Sequence, residues 1–152
     1  MIQQTRQHGF TLIEVLVTLV IMAIGLLGLA GMQATSLRNT ESAYQRSQAA
    51  MLAYDMLDRM RTNSTGVASG AYNSIGTTAA TAGTDCGSSV CSSSAMATYD
   101  DADWHAKIAE VLPSGTGSVS GSGANSVFTI TITWDDDRSG TADTSFTLSS
   151  RI

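Results

Sequence analysis

The chain has 152 residues, 8 of them Lys or Arg and 13 Asp or Glu, for a net charge of −5. Without a basic stripe, this acidic balance argues against nucleic-acid binding, and the length accommodates one modest folded domain. No catalytic constellation, cofactor motif or metal centre is expected. His8 and His105 are isolated, no G-x-S-x-G elbow or phosphate loop occurs, and Cys86 and Cys91 lack the companion ligands that zinc requires.

The first nine residues, MIQQTRQHG, are polar and carry one firm positive charge, Arg6. From Phe10 to Met32 follow 23 residues with a single charge, Glu14, and no proline. As a helix this stretch reaches about 35 Å, enough to cross a bilayer core of about 30 Å. A carboxylate at the bilayer centre costs about 2.5–3.5 kcal/mol; Glu14 lies near the end of the span, where the cost is smaller, but it still needs a partner. A secretory signal places its apolar stretch before the cleavage point. Here the apolar stretch follows Gly9, so a cut at Gly9–Phe10 leaves the anchor on the mature chain. The segment G-F-T-L-I-E, Gly9 to Glu14, closely resembles the type IV prepilin signature. The resemblance implies cleavage by prepilin peptidase after Gly9, which removes a leader of residues 1–9, and N-methylation of Phe10. Glu14 would then lie one helical turn from the new amine. It would pair with the amine of a neighbouring subunit, setting the axial register of assembly.

Residues 33–63 read as an amphipathic helix continuing from the span (residues 10–32), giving one helix of about 50 residues, far above the usual 11–12. Ala43, Ser47, Ala50, Tyr54 and Leu57 form its expected inner stripe, with Ala53 and Met60 on the edge. Glu41, Gln45, Gln48, Asp55 and Arg59 lie opposite, and Leu52 falls among them. Gly25, Gly28 and Gly31 either let neighbouring helices approach closely or mark where the helix unwinds on leaving lipid.

Of residues 62–98, 20 of 37 are Ser, Thr or Gly, which predicts a long loop. Cys86 and Cys91 near its end are expected to form one tight disulfide in an exported domain. DDADWHAKIAEVL, Asp100 to Leu112, predicts a short helix with acids at its start, Trp104 as a packed anchor, His105 on the surface and Pro113 as terminator. Val127 to Trp134 alternates as a half-buried strand. Residues 135–143 form a turn, and Thr144 to Ile152 pairs back with Phe146 and Leu148 inward; residues 117–123 offer a weaker strand. Asp135, Asp137, Ser139, Gly140 and Asp143 follow the first positions of a calcium-loop pattern. Phe146 stands where the bidentate glutamate belongs, so a charged hairpin tip is the preferred reading. The expected fold class is α+β, a long N-terminal helix packed on a small antiparallel sheet, with a globular domain over residues 64–152.

The spine Gly25–Arg61, the cysteine-bounded loop Cys86–Cys91, the D-x-x-W helix ending in LP (Asp101–Pro113) and the strand ending T-x-T-W-D (Thr131–Asp135) together resemble the minor pilin family known as PilV. This resemblance implies a non-enzymatic minor pilin that helps initiate type IV pilus assembly and is incorporated at or near the tip. Implied partners are other minor pilins, the major pilin, prepilin peptidase, the inner-membrane assembly machinery and a tip adhesin. The implied location is the inner membrane, single-pass with a periplasmic C-terminal domain, and then the pilus. A minor pseudopilin of a type II secretion system and a pilus-displayed adhesin module remain as alternatives.

Overall fold

The computed structural model describes residues 9–81 and 83–152, so the expected leader residues 1–8, including Arg6 and His8, lie outside the described residues. The chain divides into two compact units, residues 1–41 and Ser42–Ile152. Helix α1 (Leu12–Thr62) contributes to both as one helix of 51 residues, the length the composition predicts.

In the first unit every described residue is exposed. α1 is here long and apolar enough to cross a membrane, with none of its apolar window buried. Gly25, Gly28 and Gly31 are all helical, and a Cβ added at any of them would meet nothing within 4 Å.

In the second unit α1 is followed by α2 (Ser64–Ala68), β1 (Ser74–Ile75), α3 (Ser93–Val111), β2 (Thr116–Ser120), β3 (Val127–Trp134) and β4 (Thr144–Arg151). The strands form an antiparallel sheet in the order β1-β2-β3-β4. β3 is central because it alternates cleanly. Phe128, Ile130, Ile132 and Trp134 are buried, whereas Thr129 and Thr131 face outward opposite Ser149 and Thr147 of β4. Phe146 and Leu148 of β4 pack at the edge of the same core, opposite Ile132 and Ile130.

The core joins this face to α1 and α3, with Met56, Met60, Trp104 and Ile108 among its fully enclosed side chains. The inner face of α1 is rotated from the predicted stripe: Gln45, Ala49, Leu52, Ala53, Met56, Leu57 and Met60 are buried, while Tyr54 is 54% exposed. Apolar side chains occur all round this helix, so periodicity leaves several faces in competition and the sheet selects one.

Residues 62–98 are not one loop. Asn63 caps α2 by accepting the Gly66 N–H, and β1 adds an edge strand. α3 starts at Ser93, seven residues before the predicted Asp100, because the Ser92 hydroxyl caps it by accepting the Ala95 N–H. Asp100, Asp101 and Asp103 are therefore mid-helix, and their partners are side chains rather than the helix dipole. His105 is also not a surface residue. It is 7% exposed, with Nδ1 2.7 Å from an Asp101 carboxylate oxygen and Nε2 3.1 Å from the Gly117 carbonyl.

Gly117 in β2 is a close approach between sheet and helix. A Cβ there would overlap Cη2 and Cζ3 of Trp104, so only glycine lets the six-membered ring of the indole approach the strand this closely. The same indole donates to the Leu52 carbonyl at 2.9 Å, tying α3 to α1.

Candidate functional site

Residues 9–11 lie outside the helix, and Gly9 and Phe10 are exposed, Phe10 by 84%. Thr11 is the cap of α1. Its hydroxyl accepts the Glu14 N–H at 3.3 Å, and its carbonyl accepts the N–H groups of Glu14 and Val15. T-L-I-E is thus a capping-box sequence, a signal present in the chain but passed over when only the apolar run is read. Its consequence is positional. The helix begins one residue after the cap, so the Gly9–Phe10 bond stays in non-helical, accessible backbone. Glu14 falls in the first turn, where the helix dipole favours an acid.

The second unit holds a polar cluster that the sequence reading missed. Arg59 extends one guanidinium to three carboxylates: Nε to Asp55 at 3.0 Å, Nη1 to Asp100 at 3.1 Å and Nη2 to Asp103 at 2.5 Å. Burial works against its charge, but the bond to Asp103 and the fields of Asp55 and Asp103 hold its pKa above the ordinary value. The other oxygen of Asp100 accepts the Tyr72 hydroxyl at 2.5 Å. Burial and then this hydrogen bond push the phenol above its ordinary pKa. For Asp103, desolvation is outweighed by bonds from Arg59 and Lys107, which hold its carboxyl below the usual carboxylate value. Asn63 completes the cluster by donating to Tyr72 and to the Ser93 carbonyl. The local traces of this network are the i,i+4 spacings of Asp55 with Arg59 and of Asp103 with Lys107. The links to Asp100 and Asp103 span 41 and 44 residues and belong to the tertiary structure.

Beside this cluster lies a pocket of about 410 Å³ between the end of α1 and the start of α3, with Cys91 on its wall. Cys86 and Cys91 are joined in a disulfide with Cα atoms 5.6 Å apart, which closes the loop leading into the Ser92 cap.

The acidic turn works for its own backbone. Asp135 is buried, and its two oxygens accept the N–H groups of Ser139 and Gly140. Asp137 also accepts from Ser139, which lowers its pKa. The carboxylates of Asp135, Asp137 and Asp143 come within 4.8 Å of one another. The turn is a capped structural corner, with Gly140 in the left-handed region at φ 90°.

The sequence-predicted site residues therefore fall into separate groups: Gly9, Phe10 and Glu14 around the start of α1, and Cys86 with Cys91 in the second unit. Residues 31–102 match the family described as Tt1218-like, type IV pilin Tt1218, and residues 4–30 match the prokaryotic N-terminal methylation motif. Neither the curated proteins nor the solved structures give a match.

Proposed function

We propose that this chain, a type IV pilin with a prepilin-type methylation motif, acts as a minor pilin of the PilV kind. It is cut after Gly9 by prepilin peptidase, methylated on Phe10 and held by residues 10–32 as a single-pass anchor in the inner membrane, with residues 64–152 on the periplasmic side. From there it joins other minor pilins in a complex that primes filament growth, contacts the major pilin and the assembly machinery, and stays near the tip, where an adhesin is a further partner. The role is structural rather than enzymatic.

The observation that carries this reading is the start of α1. A non-helical, exposed Gly9–Phe10 bond offers a peptidase accessible backbone, while Glu14 lies four residues along the chain from the amine that cleavage creates, in the first turn of α1. In lipid both charges are costly, and pairing Glu14 with the amine of an adjacent subunit removes both costs together. The apolar residues of α1 up to Met32 are exposed throughout. A lipid phase or a bundle of like helices covers them equally well, which is what a subunit that moves from membrane to filament requires. The open sides of Gly25, Gly28 and Gly31 favour close helix approach in that bundle.

Mass spectrometry of the membrane-extracted protein tests the processing step. The expected first residue is methylated Phe10, and a chain still carrying residues 1–9 overturns the reading. A deletion strain tests the role: loss of pili supports initiation, normal pili without attachment support an adhesin, and loss of secretion with intact pili assigns the chain to a type II secretion pseudopilus.

A further inference from the structure

His105 has no part in processing or in the Arg59 network, yet it is enclosed between α3 and the sheet. Both of its ring nitrogens face oxygen atoms. Nδ1 lies 2.7 Å from Oδ1 of Asp101 and 3.0 Å from the Asp101 carbonyl, one turn back on the helix. Nε2 lies 3.1 Å from the Gly117 carbonyl on β2. A neutral imidazole carries one N–H, and its second nitrogen is then a bare lone pair. Whichever tautomer forms, one lone pair points at an oxygen. Only the imidazolium donates on both sides. Asp101 makes a second, separate demand. Its Oδ1 is enclosed and accepts no hydrogen bond of good geometry, so a charge on the ring beside it is what compensates the carboxylate.

The neighbouring elements leave this pair to itself. On α3 the residues one turn from His105 are Asp101, Ala102, Ile108 and Ala109, and Asp101 alone of these titrates. Asp100 and Asp103 are engaged by Arg59, Lys107 by Asp103, and Glu110 is exposed. The strands β2 (TGSVS) and β3 (VFTITITW) carry no titratable side chain. α1 meets this part of α3 through the Leu52 carbonyl, which Trp104 occupies. The Trp104 ring packs edge-on against the imidazole, centroids 5.2 Å apart, and limits its rotation. Finally, β1 pairs with Ser120 and Val119, so among the described residues no strand lies beyond Thr116–Ser118 on that edge. The imidazole supplies there the donor that a further strand would.

We propose that His105 is a pH-sensitive latch between α3 and β2, closed on both sides as an imidazolium and released from β2 when it loses a proton to solvent. The proton that leaves is the one on Nε2, because a bond to a carboxylate is about twice as strong as one between neutral groups. The remaining proton stays on Nδ1, facing Asp101. Gly117 then confronts a lone pair, and the open edge of β2 loses its donor. The bond to Gly117 thus contributes while the ring is charged and is lost as pH rises through about pH 5–8, where histidine exchanges its proton. Release is local, since Trp104 still donates to Leu52 and Arg59 still holds Asp100.

Nitrogen NMR of the detergent-solubilised full-length chain, labelled with 15N-histidine, tests this. His8→Gln leaves His105 as the one labelled residue of the two histidines. Below about pH 5 both ring nitrogens should carry protons, and above about pH 8 the ring should be a single Nδ1–H tautomer. Amide exchange over residues 116–118, corrected for its intrinsic pH dependence, should become about fivefold faster across this window, the worth of one hydrogen bond. The step should vanish in His105→Gln and move toward acid in Asp101→Asn, which removes the compensating charge. It lies between the acid range of Asp103 and the alkaline range of Tyr72 and so is separable from both. Glu110→Gln should leave it unchanged. An Nε2–H tautomer at high pH, a ring still neutral at about pH 5, or exchange that ignores the titration overturns the latch. If His105→Gln fails to fold, the ring spectra and the exchange step of the folded chain decide alone. None of these outcomes touches cleavage after Gly9, so the pilin reading is judged apart from them.

Discussion

Replacing Arg59 by methionine keeps the stem and removes the charge that three aspartates share. The Arg59–Asp100 contact is the enclosed one, with side chains 16% and 7% exposed. Leaving one partner of a buried pair uncompensated costs about 3–5 kcal/mol. Tyr72 still donates to Asp100, which places this contact at about 3 kcal/mol, at the low end of that range. Asp103 and Asp55, 32% and 39% exposed, are solvated after the change and together add at most about 1 kcal/mol. The total of about 3–4 kcal/mol should lower the urea midpoint by about 1–4 M. Trp104 and Trp134, both 0% exposed, report the transition by fluorescence in the detergent-solubilised full chain. Asp100→Asn should cost only about 1 kcal/mol, because Arg59 keeps two carboxylates. The double variant Arg59→Met/Asp100→Asn should therefore be more stable than Arg59→Met alone, by about 2 kcal/mol. An Arg59→Met midpoint within about 0.3 M of the parent, or a double variant no better than the single one, refutes the claim that this network holds α1 to α3.

Three further outcomes are expected. Gly117→Ala drives a methyl into the Trp104 ring, 2.4 Å from Cη2. It should destabilise the second unit by about 1–3 kcal/mol in the same urea assay, whereas Gly123→Ser, in open space, is limited to the strain of its positive φ. Replacing Cys86 and Cys91 by serine opens a loop of sequence separation 5 and should cost about 2 kcal/mol, with faster proteolysis confined to residues 83–92. Stability measured against pH should form a plateau with two edges. The contribution of Asp103, whose folded pKa is lowered, is present above its ordinary value of 3.8 and is lost as pH falls through the lower folded value. That of Tyr72, whose folded pKa is raised, is complete below its ordinary value of 10.0 and declines as pH rises beyond it. In Tyr72→Phe the alkaline edge from this residue should vanish.

Much of this protein is local in origin and so legible in the chain alone. A run of 23 residues after Gly9 with Glu14 as its single charge dictates a helix whose flank water solvates poorly. The strict alternation from Val127 to Trp134 dictates a strand with one buried face, and two cysteines five positions apart leave each other as the nearest partner. The spacing of Gly9, Phe10 and Glu14 is likewise written within six consecutive residues. Tertiary structure decided what depends on distant partners. Tyr54 and Leu52 are both apolar enough to face inward, and only the position of the sheet turned Leu52 in and Tyr54 out. The run from Ser92 to Tyr99 has weak helix propensity, and its helix is stabilised by packing Ala97 into a core that periodicity cannot display. Asp100 reads as a surface acid until Arg59 and Tyr72 reach it across 41 and 28 residues. Gly117 reads as a weak strand residue until the indole of Trp104 lies against it. Local periodicity records which faces are greasy; only the packed chain chooses among them, because burial and charge pairing depend on neighbours that sequence separation hides.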